Sequence, residues 1–287
     1  MQKRLVTISD ISCLGKCSLT TALPILSALG HECCILPTSL LSAHTAAFPE
    51  YTFTDLTSSM EEIIGHFEKR DVSFDGILTG YLTGPAQSQL VEAFIKTFQT
   101  DDTPVVVDPI LGDHGKLYAG FTSKHVKAAR SLCGKAHYIL PNLTEATLLL
   151  NKPLPQNAED YSLEQIHELA MELTQLGTDK IIITGVPKDG RVGIVGYCKT
   201  TNTHFEYFNQ RQQGIFHGTG DIFAAAFFGG ICHNLSWQTT AMKAADFTAE
   251  CVKATATDPS ARSYGTNFEQ CIHSPILQDL MNGENGK

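Results

Sequence analysis

The run His217-Gly-Thr-Gly-Asp-Ile-Phe223 joins two glycines to a carboxylate at the start of a long apolar block of helical period. Gly218 and Gly220 let the backbone approach an anion closely, with the first amides of a helix directed at it. Asp221 then falls in the first turn. One reading makes it a plain first-turn acid that favours the helix dipole. The other makes it a general base beside an anion hole formed by Gly218, Thr219 and Gly220, taking a proton from a hydroxyl as a phosphate is attacked. The glycines favour the second reading, because a helix start needing only a cap would use Ser, Thr or Asp. The run is not the dinucleotide fingerprint: Phe223 stands where a glycine is required, and a hairpin and loop precede it rather than a buried strand.

More carboxylates follow apolar runs. Asp108-Pro-Ile-Leu-Gly-Asp113 closes the run Pro104-Val-Val-Val, and Pro109 keeps Asp108 out of helical geometry. Asp113 reads equally as turn chemistry after Gly112. Asn142-Leu-Thr-Glu145 reads as a helix start, Asn142 capping and Glu145 closing a capping-box pattern. Brought together in neighbouring loops, Asp108, Asp113 and Glu145 would form a hard-oxygen site suited to Mg²⁺, reached directly or through water. A second glycine pair, at 185 and 190, fails as a phosphate loop, since Arg191-Val192 replace Lys and Ser/Thr and a strand follows. No His-Glu-x-x-His, Gly-x-Ser-x-Gly or Cys-x-x-Cys occurs, which removes the usual signatures of zinc and serine hydrolases. The nine cysteines, Cys13 and Cys17 among them, read as reduced thiols used as small apolar residues.

The elements that must position these residues are legible in the pattern. Strands are expected at 4–8, 32–37, 76–79, 104–108, 138–140 and 180–184. Helices are expected at 18–29 with Ser18 as cap, at 61–69 capped by Thr54 or Asp55, and at 85–99, 123–133, 144–150 and 162–176. An antiparallel hairpin at 191–198 and 203–208 precedes two long helices at 221–234 and 237–256. Repeated strand–helix–strand units predict an α/β fold, with a mostly parallel sheet between two helical layers. Ligands then bind at the carboxyl ends of the strands, where Asp10, Thr38, Gly80, Asp108, Pro141 and Gly185 open polar segments.

Length and charge set the outer limits. The 287 residues carry 21 basic and 30 acidic side chains, a net charge of −9 with no basic block, so a nucleic-acid partner is disfavoured. The longest apolar stretch, 222–232, is about half of what a transmembrane helix needs. The N-terminus reads as a first strand rather than a signal peptide, which points to a cytoplasmic protein without a membrane partner. One domain over 1–287 is expected, with 282–287 a loose tail.

In their order and spacing, Asp108-Pro-Ile-Leu-Gly-Asp113, Pro141-Asn-Leu-Thr-Glu145 and Gly218-Thr-Gly-Asp221 resemble the ribokinase-like superfamily of small-molecule kinases. Within it, Pro37-Thr-Ser-Leu-Leu-Ser42, His44-Thr45 and Thr79-Gly-Tyr-Leu-Thr83 are similar to the vitamin B6 kinases. The resemblance runs from about Leu5 to about Ala256. It implies a three-layer α/β/α sandwich, ATP with Mg²⁺ (and a monovalent cation), and phosphorylation of the 5′-hydroxymethyl group of pyridoxal, pyridoxamine or pyridoxine. It further implies Asp221 as base, residues 218–220 as anion hole, and Asp108 and Glu145 around the metal. Asp113, Asn142 and Thr184 would meet the nucleotide; Asp10, Ser42, Thr45 and Tyr81 would line the acceptor pocket, in a homodimer. The segment 209–216 would lie over the nucleotide. Asp10 departs from the Ser of the best-known B6 kinases, and Ala43 from a common Asn. A hydroxymethylpyrimidine kinase of thiamine synthesis shares fold and motifs, and a non-catalytic pyridoxal-phosphate carrier on the same scaffold is the reading from another class.

Overall fold

Every strand at the centre of the molecule is apolar on both faces, and a different set of helices covers each face. The computed structural model describes residues 2–45, 47–154 and 157–282. Its strands are β1 (Arg4–Ser12), β2 (Glu32–Leu41), β3 (Phe53–Asp55), β4 (Gly76–Thr79), β5 (Val105–Val107), β6 (Gly112–Asp113), β7 (Lys116–Leu117), β8 (Tyr138–Ile139), β9 (Lys180–Lys188), β10 (Arg191–Cys198) and β11 (Thr203–Gln210). The main helices are α1 (Leu19–Ala28), α2 (Thr57–Lys69), α3 (Pro85–Phe98), α4 (Ser123–Cys133), α5 (Leu143–Leu149), α6 (Leu163–Leu173), α7 (Thr219–Cys232) and α8 (Trp237–Thr257). Nine strands form one sheet in the order β11-β10-β9-β8-β5-β4-β1-β2-β3, while β6 and β7 make a separate small hairpin. The six strands from β9 to β2 run parallel; β3, β10 and β11 are antiparallel additions at the two edges.

Successive strand residues point to opposite layers, as the two-residue period of a strand requires. Val105 and Val107 pack with Met60, Val91, Leu132 and Ile166 of α2, α3, α4 and α6. Val106 between them packs with Ile25, Phe227 and Phe247 of α1, α7 and α8. The expected three-layer sandwich is therefore the observed one. In α7 every residue from Ile222 to Cys232 is buried, so the longest apolar stretch of the sequence is a core helix. No helix among the described residues is long and apolar enough to cross a membrane.

Several boundaries differ from the sequence pattern. The strands β1, β2 and β9 extend further than expected, so Asp10, Thr38 and Gly185 lie inside strands rather than after them. Ladder pairing with a neighbour carries polar residues that periodicity would exclude. The short elements β3, β6 and β7 carry no apolar pattern and were not anticipated. Neither expected cap is formed as proposed. The Ser18 hydroxyl makes no capping bond, and α2 starts after Leu56, with Asp55 accepting the Thr57 amide at 2.8 Å. Thr54 belongs to β3. Residues 283–287 of the expected tail lie outside the described residues.

The strand order reverses at β1, which has β2 on one side and β4 on the other. Open α/β sheets bind ligands in the crevice at such a switch point. The β1–β2 register shifts between Ser9 and Ile11, leaving Asp10 in a bulge. A bulge re-aims a side chain, and here it does so at the mouth of the crevice.

Candidate active site

Four carboxylates reach this edge from four different elements: Asp10 from the β1 bulge, Asp108 after β5, Glu145 in α5 and Asp221 in the first turn of α7. Asp10, Asp108 and Glu145 are almost fully buried. None of the four takes part in an ion pair formed among the described residues. Buried charges without cationic partners are costly, so their protonated forms are favoured. Burial pushes Asp221 up to about 7; the Ser18 amide opposes the shift and the charge of Asp10 adds to it. Burial, then repulsion from Glu145 and Asp221, raises Asp108 well above the carboxylate range. Glu145 rises through burial against three opposing backbone amides. Asp10 also rises through burial, opposed by the Ser18 and Ser12 hydroxyls. The Ser12 bond is 3.1 Å long.

The N-terminus of α7 faces the same space. Its N-cap, Gly218, is left-handed (φ 82°) and offers no side chain to the amides of Thr219, Gly220 and Asp221. A Cβ at Gly218 would stand 2.1 Å from the Lys16 carbonyl oxygen, whereas one at Gly220 would meet nothing within 4 Å. The first glycine is therefore required by packing and backbone conformation, and the second keeps the space before the amides open. That space suits an anion.

Sequence-predicted residues separate into two groups. Asp10, Asp108, Glu145, Asp221 and the 218–220 turn converge, with Tyr81 at the rim, its hydroxyl pushed up to about 12 by burial and by Asp10. Asn142, by contrast, is spent on the fold: its Oδ1 accepts the Glu145 amide at 2.9 Å and its Nδ2 donates to the Gly112 carbonyl at 2.9 Å. Glu145 closes that capping box through the Asn142 amide and accepts the Leu111 amide with its other oxygen. Asp113 is exposed at the end of β6 and accepts the amide of His114. Thr184 is half-buried and bridges to Asn142 through the backbone. Ser42 is exposed and accepts the Thr52 amide, and Thr45 is exposed beside it.

Other residues at the site had no signal in the sequence. Tyr118 follows β7 and senses Glu145, Asp113, Asp108 and Asp221, which together with burial raise its hydroxyl. His44 packs edge-on to His217 at 5.4 Å, its Nδ1 buried without a partner among the described residues; burial and His217 lower it to about 4. Two backbones are strained. Ser18 (φ 50°) and Ile110 (φ 33°) lie in the left-handed region at a cost of about 1–3 kcal/mol each. Only the proximity of a carboxylate in three dimensions makes these positions recognisable.

A cleft of about 260 Å³ opens beside the α7 N-terminus, lined by 213–217 and by Thr255, Arg262 and Gly265. The irregular segment expected over a nucleotide thus borders it, although Asn209 and Gln210 belong to β11. No three His, Cys, Asp or Glu side chains among the described residues converge closely enough to hold a metal alone. Asp108 nevertheless has no side-chain hydrogen-bond partner among the described residues and the carboxylates are all hard-oxygen ligands, which fits Mg²⁺ completed by phosphate oxygens and water.

Residues 23–266 match the family model described as phosphomethylpyrimidine kinase. A Bacteroides thetaiotaomicron structure, described as a candidate phosphomethylpyrimidine kinase in an orthorhombic form with pyridoxal, is similar at 34% identity and a TM-score of 0.90. That match covers 99% of this chain and 98% of the other. Pyridoxal kinase from Lactobacillus plantarum is similar at 28% identity and a TM-score of 0.88, over 96% and 97% of the two chains. The pyridoxal kinase of Arabidopsis thaliana is 25% identical over 234 residues, 79% of this chain and 73% of the relative.

Proposed function

Since the chain belongs to the phosphomethylpyrimidine kinase family, kinases of ribokinase-like fold acting on an alcohol group, we propose that it transfers the γ-phosphate of ATP to the 5′-hydroxymethyl group of a vitamin B6 vitamer. The observation that carries this reading is the placement of Asp221 in the first turn of an uncapped helix, beside open space and next to the acceptor-side residues Asp10 and Tyr81. A carboxylate held near neutrality is matched to taking a proton from an alcohol at physiological pH.

In the proposed reaction the acceptor lies in the crevice by Asp10 and Tyr81, with its hydroxyl toward Asp221. The hydroxyl oxygen attacks the γ-phosphorus, its proton passes to Asp221, and ADP leaves. The amides of Thr219, Gly220 and Asp221 bind the equatorial phosphoryl oxygens as charge redistributes. Such preorganised donors and positioning carry most of phosphoryl-transfer catalysis. The cleft at 213–217 and Arg262 receives the nucleotide. Asp108 and Glu145 would hold Mg²⁺, which would neutralise phosphate charge when bound. Thr184 borders the phosphates; Asn142 and Asp113 act through the loops they brace rather than by free side chains.

A second reading, phosphorylation of hydroxymethylpyrimidine, is favoured by the description of the matching family model itself. The test is ADP release from Mg-ATP with pyridoxal, pyridoxamine, pyridoxine or hydroxymethylpyrimidine, with Asp221→Ala as control. Turnover confined to the vitamers supports the proposal. A preference for the pyrimidine reassigns the acceptor and keeps the mechanism. Vitamer binding without turnover supports a carrier and overturns both.

A further inference from the structure

The loop between β1 and α1 touches three parts of the site at once. The Leu14 carbonyl accepts the His44 amide at 2.8 Å, which ties the loop to the segment carrying Thr45. The Lys16 carbonyl lies against Gly218, where a Cβ would stand 2.1 Å from its oxygen, so it sets how closely the anion turn approaches. The Lys16 ammonium donates to Asn267 Oδ1 at 2.7 Å and to Glu269 Oε2 at 2.8 Å. A Cβ at Gly265 would meet the lysine stem at 2.5 Å. One residue thus joins a backbone contact on the anion turn to side-chain contacts along 265–269.

That segment holds the residue before the anion turn. Thr266, buried, donates to the His217 carbonyl through its amide at 3.1 Å and through its hydroxyl at 2.8 Å. His217 and Gly265 both line the cleft beside α7. The Asn267 amide donates to the Thr255 hydroxyl at 2.8 Å and its Nδ2 to Asp258 at 3.0 Å, which leaves its Oδ1 for Lys16. Thr255 is itself a wall of the cleft. The turn is therefore held at Gly218 by the Lys16 carbonyl and at His217 by Thr266, and the Lys16 ammonium closes the ring between the two. An ion pair whose Glu269 side chain is 53% exposed contributes little to stability, so the consequence of the ring lies in placement.

We propose that Lys16 is a positioning residue that couples the nucleotide cleft to the anion turn, its carbonyl fixing Gly218 and its ammonium fixing the 265–269 rim that holds His217. The proposal rests on the reading of 218–220 as the amides that bind the transferred phosphoryl group. Lys16 acts through its neighbours, its ammonium being committed to Asn267 and Glu269.

Lys16→Met keeps the carbonyl and the stem and removes both ammonium bonds. The expected result is kcat lowered about tenfold, inside the ~10²-fold that a misplacement of about 1 Å costs. The KM for ATP rises several-fold, while the acceptor KM and Tm change little. Lys16→Arg, whose guanidinium can donate to both acceptors, restores most of kcat. Glu269→Ala, which leaves the Asn267 bond, shows the same split to a smaller degree. Independently of turnover, the amide resonances of Gly218, Thr219 and Gly220 move in ligand-free Lys16→Met and return in Lys16→Arg. Unmoved resonances, or an unchanged kcat and ATP KM in Lys16→Met, overturn the proposal. A loss of activity that only follows a fall in Tm, without rescue by arginine, overturns it too. Should Lys16→Met not fold, Glu269→Ala decides by the same readings. Failure of the wild type to phosphorylate any acceptor overturns the assigned function instead and leaves the resonances to decide this one.

Discussion

At the scale of single residues, the site is a group of carboxylates whose burial favours their neutral forms. Asp221→Asn is expected to lower kcat by about 10²–10⁴-fold, the usual value of a general base, with ATP binding retained in calorimetry. In the wild type, kcat/KM for the acceptor should fall below about pH 7, where Asp221 takes up a proton. The same group weakens the fold. Its folded pKa lies above the unfolded 3.8, so its unfavourable contribution grows as pH rises from about 4 to about 7. Asp221→Asn should therefore raise Tm by a few degrees at pH 8 and scarcely at pH 4, as scanning calorimetry at the two pH values would establish. Asp10, buried without a cation, is expected to favour an acceptor bearing a positive substituent. Asp10→Ser should lower the kcat/KM ratio of pyridoxamine to pyridoxine about tenfold, and an unaltered ratio would remove it from selection. These acids were legible in the sequence because charged residues following apolar runs are conspicuous. The strained turns at Ser18 and Ile110 were not, since nothing local distinguishes a serine that caps from one that does not.

Among elements, the N-terminus of α7 and the 15–18 turn form one unit, and the two glycines between them have different physical causes. Gly218→Ala places a methyl group on the Lys16 carbonyl at a left-handed φ, and should lower Tm by many degrees. Gly220→Ala adds a methyl group in open space within a helix, where Ala is favoured by about 1 kcal/mol. It should leave Tm level or higher while kcat drops, because the added carbon stands before the amides proposed to bind the phosphate. Thermal melts and initial rates on the two variants check both signs. Helices α3, α4 and α7 could be read from periodicity to within two residues, since their apolar faces are continuous. The β6–β7 hairpin could not, because Gly-Asp and Lys-Leu carry no alternation and pair only in three dimensions. The same holds for Asn142, whose capping pattern was apparent while its bond to Gly112 was not.

For the whole molecule, the sandwich was legible because runs such as Val105-Val-Val107 permit only a strand covered on both faces. The β3 edge and the lengths of β1, β2 and β9 were hidden, being set by neighbours rather than by composition. Mg²⁺ and ATP together should raise Tm more at pH 8 than at pH 5.5, since the cation offsets carboxylates that are ionised only at the higher pH; equal shifts in differential scanning fluorimetry would count against the acid cluster as the metal's seat. The clamp between Lys16 and the far end of the chain has a consequence for biosynthesis. Lys16 reaches Asn267 and Glu269 across 251 and 253 positions, contacts that close only after the intervening residues have been added. Such distant pairings form slowly, and a growing polypeptide emerges from its N-terminal side first. A nascent chain can assemble most of the sheet before the turn beside the proposed base is clamped, so the proposed site is completed late in synthesis.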